Sequence, residues 1–184
     1  IIEFPRTTGT FAQSFPNTIP FSETFGFIAD VDDSDEGGND FAFVVTAHEI
    51  AHQWWAHQVI GADVLGATML SESLSEYVAL KVTEEVNGKN KMRKFLKRSL
   101  DTYLTQRTFE TKRENALMYN DGQGYIHYQK GSLIFYALSD YIGESLLNKT
   151  LSNYVEKVAF QPPPYTTSIE LVDDLREIIP DSLN

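Results

Sequence analysis

The sequence predicts a mainly α domain with a short β or irregular N-terminal portion. Three observations carry this. From Asn39 onward, apolar residues recur at helical spacing between cap and stop signals. Before Asn39 there is no such period, and Pro5, Pro16 and Pro20 cut the chain into short extended pieces. A chain of 184 residues, 42% of them hydrophobic, has the material for one domain with a real core. Residues 1–184 are therefore read as a single domain: a β or irregular portion over 1–38, a helical core over 39–160 and a C-terminal helix within 161–184.

The elements follow in order. Ile1 to Phe4 reads as a strand stopped by Pro5, and Phe25 to Val31 as a second strand. Asp30 to Asp40 is dense in carboxylates and glycine. As a calcium loop starting at Asp32 it fails at the twelfth position, where Phe43 replaces a bidentate glutamate, so it reads as a solvated loop. With Asn39 or Asp40 as N-cap, a first helix spans Phe41 to about His57. A second covers about Ser71 to Val86 and closes at Asn87-Gly88. A third covers Lys91 to Leu104, followed by a polar stretch to Asn115. After the turn at residues 120–124, a fourth helix covers Tyr125 to Ile142, and Gly143 separates it from a fifth ending near Phe160. Thr167 and Glu170 form a capping box for a last helix that stops before Pro180.

Composition narrows the function. The chain has no cysteine, which excludes disulfides and thiolate chemistry. A net charge of −11 argues against a general nucleic-acid partner. No apolar run reaches the length of a membrane span. Ile1 in place of a methionine predicts a processed chain or an excised piece. Six of the ten residues from Lys89 to Arg98 are basic; they read either as a solvated helix face or as a contact for anionic lipid or an acidic partner.

The chemistry is concentrated in His48-Glu49-Ile50-Ala51-His52. Residues four apart on a helix share a face, so the two imidazoles can converge on one Zn²⁺, while Glu49, rotated by about 100°, can take a proton from water beside it. Two histidines are too few for a tight zinc site. A third histidine in the register of one zincin pattern would fall at position 58, which is Gln58. His57 misses it by one residue and reads as a surface histidine or one behind the ligands. The remaining solution is a carboxylate from the next helix. In Leu70-Ser-Glu-Ser-Leu-Ser-Glu-Tyr77, Glu72 is the expected ligand. Glu76, on the same face, either orients a ligand histidine or closes a capping box with Ser73.

The run His48-Glu-Ile-Ala-His-Gln-Trp-Trp55, followed by Leu70-Ser-Glu-Ser73, resembles the gluzincin aminopeptidases of the aminopeptidase N and leukotriene hydrolase family. Tyr128-Gln-Lys-Gly131 is similar to that family's Tyr-x-Lys-Gly element. The resemblance implies a thermolysin-like (gluzincin) metallopeptidase catalytic domain that holds one Zn²⁺ through His48, His52 and Glu72. It implies an aminopeptidase acting on peptide substrates through a zinc-activated water, with Glu49 as general base and Tyr128 stabilising the charged intermediate. From the residues alone Tyr128 could equally be a core aromatic, with Tyr125 a rival nearby. The family's exopeptidase motif survives only as Glu23 within Pro20-Phe-Ser-Glu-Thr24; Glu23 would bind the substrate ammonium or be an ordinary surface carboxylate. One further departure is an interval of nineteen residues, Gln53 to Ser71, where the family has eighteen. The motif wording is most similar to aminopeptidase-like domains of bacterial membrane proteins, some fused to transporter permeases. That implies a membrane-associated parent and an extracytoplasmic domain. A second class fits the eroded motif: a domain that keeps zinc but serves binding or assembly with weak catalysis.

Overall fold

A computed structural model describes residues 1–28 and 41–179. The loop over residues 30–40 and the Asn39/Asp40 cap lie outside the described residues. Helices dominate: α1 (Phe41–Ala51), α2 (Leu74–Phe109), α3 (Gly131–Ile142), α4 (Glu144–Val158) and α5 (Ser168–Ile178). The N-terminal portion holds two short strands, β1 (Ile2–Phe4) and β2 (Pro20–Ser22), paired in parallel with Ile2 opposite Pro20. No described helix is long and apolar enough to cross a membrane.

The first half of α2 runs through the middle of the core. Leu74, Ala79 and Leu80 are fully buried on it, and α3, α4 and α5 close around them with Phe135, Leu147 and Leu171. Each of these leucine and phenylalanine side chains contributes roughly 1.5–3 kcal/mol on leaving water. Helix α1 packs on α2, and its last residue, Ala51, joins the core together with Trp55 and Val59 from the turns that follow.

Several boundaries differ from the sequence reading, each for a local reason. The described part of the predicted strand, residues 25–28, is instead within a wide helical turn at Thr24–Ile28, and β2 forms earlier, beginning at its proline, where a strand can spare an N–H. The turn lies so close to Phe21 that a Cβ on Gly26 would meet the ring at 2.4 Å. Helix α1 ends at Ala51, not His57. Beyond it the chain folds through tight turns, with the Val59 amide bonded to Trp54 O at 2.9 Å, and these place the Trp55 ring in the core. The second and third predicted helices both lie within α2 and meet at a break at Gly88 (φ 80, ψ 166), where the sequence places the stop. The element continues to Phe109, five residues past Leu104, because Glu114 gathers Tyr103, Arg107 and Lys130 around its carboxylate. On the basic stretch, Met92 is buried while Arg93, Lys97 and Arg98 face solvent. Thr167 caps α5 as the capping box requires, accepting the Glu170 amide at 3.5 Å.

Two elements begin with π-type turns, Met69–Ser73 ahead of α2 and Ile126–Lys130 ahead of α3. Such turns are rare and concentrate at functional sites. The first takes up one residue more than an α turn would, in keeping with the longer interval between the motifs. The two turns meet: Ser73 Oγ donates to His127 O at 2.7 Å, and Gly131 sits against Ser73 so closely that a Cβ there would meet Oγ at 2.2 Å and Cβ at 2.7 Å. Gly131→Ala should therefore cost about 1–3 kcal/mol in urea unfolding, as overpacking does. Gly124→Ala, whose nearest neighbour would be Tyr128 at 4.0 Å, should cost far less.

Candidate metal centre

His48 lies within α1, one helical turn before His52, which follows the helix's last residue and still donates its amide to His48 O at 3.2 Å. Their rings stand edge to face with centroids 4.5 Å apart. Docking of α1 on the start of α2 brings Glu72 to both: its Oε2 is 3.3 Å from His48 Nε2 and 3.5 Å from His52 Nε2. Within a metal–ligand bond length of about 2.0–2.1 Å, the edges of a tetrahedron are about 3.3–3.4 Å, so these separations suit three corners of a zinc site. Glu72 Oε2 is buried and has no hydrogen-bond partner of good geometry, an acceptor facing two imidazole nitrogens with room between them for a cation. One ligand atom from each of His48, His52 and Glu72 lies within 4.8 Å of the others.

The opposite ring nitrogens are held from behind. His48 Nδ1 is 3.3 Å from Glu76 Oε1, and His52 Nδ1 lies 2.8 Å from Trp55 O and 3.0 Å from Ser75 Oγ. His48 Nδ1 has no hydrogen bond of good geometry, so Glu76 faces it as a charge, whereas a proton on His52 Nδ1 would satisfy Trp55 O and leave that Nε2 free for a metal. Glu76 stands behind His48, where an orienting carboxylate would be expected, while Ser73 has helical backbone and makes no cap bond. The turns that end α1 early serve the same purpose, since they carry Trp55 O back to His52.

Electrostatics follow the arrangement. Burial alone would pull the His48 pKa down, but the carboxylates of Glu72 and Glu76 outweigh it and hold it at about 10. Burial works against ionised Glu72, yet His48 and His52 hold its carboxyl well below the usual range. Glu49 is also buried, and desolvation pushes its carboxyl up against the pull of His48 and His52; the Ser14 backbone hydrogen bonds to it. A carboxylate so placed and so raised is suited to proton transfer. The Tyr128 ring lies 5.9 Å from that of His48, and burial together with the charge of Glu72 raises its phenol above the ordinary value. His48, Glu49, Glu76 and Tyr128 border one cleft of about 500 Å³, whose other walls come from Phe11 and Phe95 among others.

Not every expected residue joins. Glu23 follows β2, its carboxylate accepting the Arg6 amide at 3.5 Å, and it does not line this cleft. Tyr125 is buried in the core against Tyr103, away from this role. The Nε2 of His57 is buried without a partner, and His57 is not part of the three-residue group. Sequence reasoning missed Ser75 behind His52, and it missed His127. This buried histidine takes the Asn120 side-chain amide on Nδ1 at 3.2 Å, while burial lowers its pKa and keeps it neutral beside Tyr128. Helical spacing could have flagged Ser75, three residues past Glu72; nothing local flags His127.

A sequence model of the peptidase family M1 domain matches residues 17–182. The chain belongs to peptidase family M1. No curated protein sequence matches it. Among solved structures, a two-domain M1 zinc metallopeptidase, determined as a glutamate-to-alanine mutant bound to L-tryptophan, is 18% identical with a TM-score of 0.65. The alignment covers 98% of this chain and 36% of that one. An M1 zinc metallopeptidase mutant from Deinococcus radiodurans is 19% identical with a TM-score of 0.66, over 95% of this chain and 35% of that one. A mutant M1 enzyme from the same organism, bound to a Tyr-Ser-Ala substrate, is 20% identical with a TM-score of 0.62, over 93% and 35%. This M1 domain thus has a metallopeptidase fold and spans little more than a third of these relatives. Zn²⁺ is the cofactor of the family, and the His/His/Glu group here fits it.

Removing the orienting carboxylate should weaken the site without emptying it. Glu76→Ala is expected to lower zinc affinity about 10–100-fold. Glu72→Ala should abolish stoichiometric binding. Competition with a chromophoric chelator measures both.

Proposed function

We propose that this M1 domain is a zinc-dependent aminopeptidase that releases N-terminal residues from peptides. The observation that carries the reading is the convergence of His48, His52 and Glu72 on one point at the edge of a cleft that Glu49 and Tyr128 also border. Bound there, zinc supplies a Lewis acid that polarises a peptide carbonyl and acidifies water. The chain's own groups do the rest. Glu49 accepts a proton from the attacking water and returns it to the departing amine; its raised pKa favours the return step. Tyr128 keeps its proton, because burial and Glu72 oppose the phenolate, and donates a hydrogen bond to the carbonyl oxygen as that oxygen gains charge. Glu76 and Trp55 O hold the two imidazoles in place throughout.

Exopeptidase selectivity is assigned to Glu23, whose carboxylate would pair with the substrate ammonium. The strand before it adjoins the cleft wall, although Glu23 itself does not line the cleft. Glu23 follows directly on β2, and Ser22 of that strand donates its amide to Phe11 O at 2.7 Å in the segment that walls the cleft. Peptide chemistry is also supported by the Tyr-Ser-Ala substrate bound in one structural relative. The placement of Glu23 outside the cleft favours a second reading, a zinc-retaining domain for binding or assembly within a larger protein.

The two readings separate on one set of assays. Under the first, Glu49→Gln keeps zinc and loses about 10²–10⁴-fold in turnover of aminoacyl reporters. Tyr128→Phe should lower kcat by about 10²–10³-fold. Acetylation of the substrate N-terminus should abolish cleavage, and equal rates on free and acetylated peptides would remove Glu23 from its role. Stoichiometric zinc with no turnover that depends on Glu49 would establish the second reading.

A further inference from the structure

We infer that Gln53 is a positioning residue that locks the strip Ser14–Asn17 across the end of the metal-bearing helix, and through it sets the carboxylate of Glu49 and the adjoining wall of the cleft. The inference rests on the reading of Glu49 as the proton-transferring group.

Gln53 directly follows His52, and its side chain turns away from the metal group toward the N-terminal portion. Every capacity of its amide that this strip can use is engaged. Nε2 donates to Ser14 Oγ at 2.7 Å and to Phe15 O at 2.9 Å, and Oε1 accepts the Asn17 amide at 2.8 Å. The residue is fixed at its other end too: its own amide donates to Ile50 O at 2.9 Å, and its carbonyl accepts Gln58 Nε2 at 2.9 Å. The strip is a preformed turn, closed by reciprocal Phe15–Thr18 bonds of 2.8 and 3.0 Å, with Asn17 in the left-handed region at φ 60. Glutamine is the one common side chain of this length offering two amide donors and an acceptor. A glutamate would set an oxygen against Phe15 O, and lysine or arginine would offer nothing to the Asn17 amide.

The consequence reaches the site by a short route. The Ser14 backbone hydrogen bonds to Glu49, so the position of this amide depends on where the strip lies. The preceding residues, Thr10 to Ala12, line the same cleft as Glu49 and Tyr128. The ligand imidazoles have separate supports in Glu76, Trp55 O and Ser75, none of which the strip touches through a described bond. Loosening the strip should therefore disturb proton transfer and substrate placement while leaving zinc in place.

The test compares zinc-loaded wild-type protein with Gln53→Ala and Ser14→Ala. Amide hydrogen exchange is followed across residues 14–18 and across α1, with zinc titration and steady-state kinetics on an aminoacyl reporter. Gln53→Ala should speed exchange at the Asn17 and Thr18 amides by about tenfold or more, with α1 amides unchanged and zinc affinity within about threefold of wild type. It should lower kcat and raise KM together. Ser14→Ala, which loses one of the three bonds, should move the same readouts in the same direction by less. Unchanged exchange in the strip would overturn the lock, and so would loss of zinc in step with activity, which would mark a general structural role. Faster exchange with unaltered kcat and KM would overturn the link to Glu49. If the wild-type protein binds zinc but turns over no peptide, the aminopeptidase reading fails, and the exchange data alone still decide whether Gln53 holds the strip.

Discussion

The structure depends on one constraint: a glutamate carboxylate must be held, largely out of water, against two imidazole nitrogens borne on a different element. An unpaired carboxylate or imidazolium so placed would be costly, and each group here is compensated by the other. Burial and charge pull in opposite directions at both His48 and Glu72, and charge prevails at each. A cation held by His48, His52 and Glu72 would replace this proton-mediated compromise, and Glu72 Oε2, which faces the histidines without a good hydrogen bond of its own, is free to serve it. The fully buried core around Leu74 and Leu80 supplies the rigidity, since it fixes where the start of α2 lies relative to α1.

A second junction extends that rigidity to the opposite wall of the cleft. The contact of Ser73 with His127 O and Gly131 ties the turn carrying Glu72 to the turn carrying Tyr128. Lys130, next to Gly131, reaches Glu114 and thereby anchors the same turn to the end of α2. The Tyr-x-Lys-Gly element therefore has a physical reading at each of its fixed positions: a phenol beside the metal group, a cation that anchors the turn, and a glycine that permits the backbones to close. Its tyrosine reaches the site only because the other two hold the turn there.

Much of this was legible in the sequence, and the parts that were not share a cause. The pairing of His48 with His52 and the need for a third ligand follow from helix periodicity and zinc's coordination number, the resemblance to the gluzincins implies Glu72 as that ligand, and the three residues do lie together. The helical class and the capped last helix were equally visible, because caps and periodicity are local signals. The early end of α1 at Ala51 was hidden, because it depends on Trp55 entering a core built by α2 and α4. The break at Gly88, by contrast, was visible, because a glycine with positive φ is a local stop signal. Ser75 meets His52 across 23 residues and His127 meets Ser73 across 54, contacts that neighbouring residues do not announce, although helical spacing after Glu72 could have flagged Ser75 itself.

The most direct measurement is diffraction from crystals of the zinc-loaded protein, with anomalous data collected on either side of the zinc absorption edge. The account predicts one fully occupied anomalous peak about 2.0–2.2 Å from His48 Nε2, His52 Nε2 and a Glu72 carboxylate oxygen, with Glu49 beside it and not bound to it. A peak elsewhere, a ligand set without Glu72, or no peak at saturating zinc would contradict it.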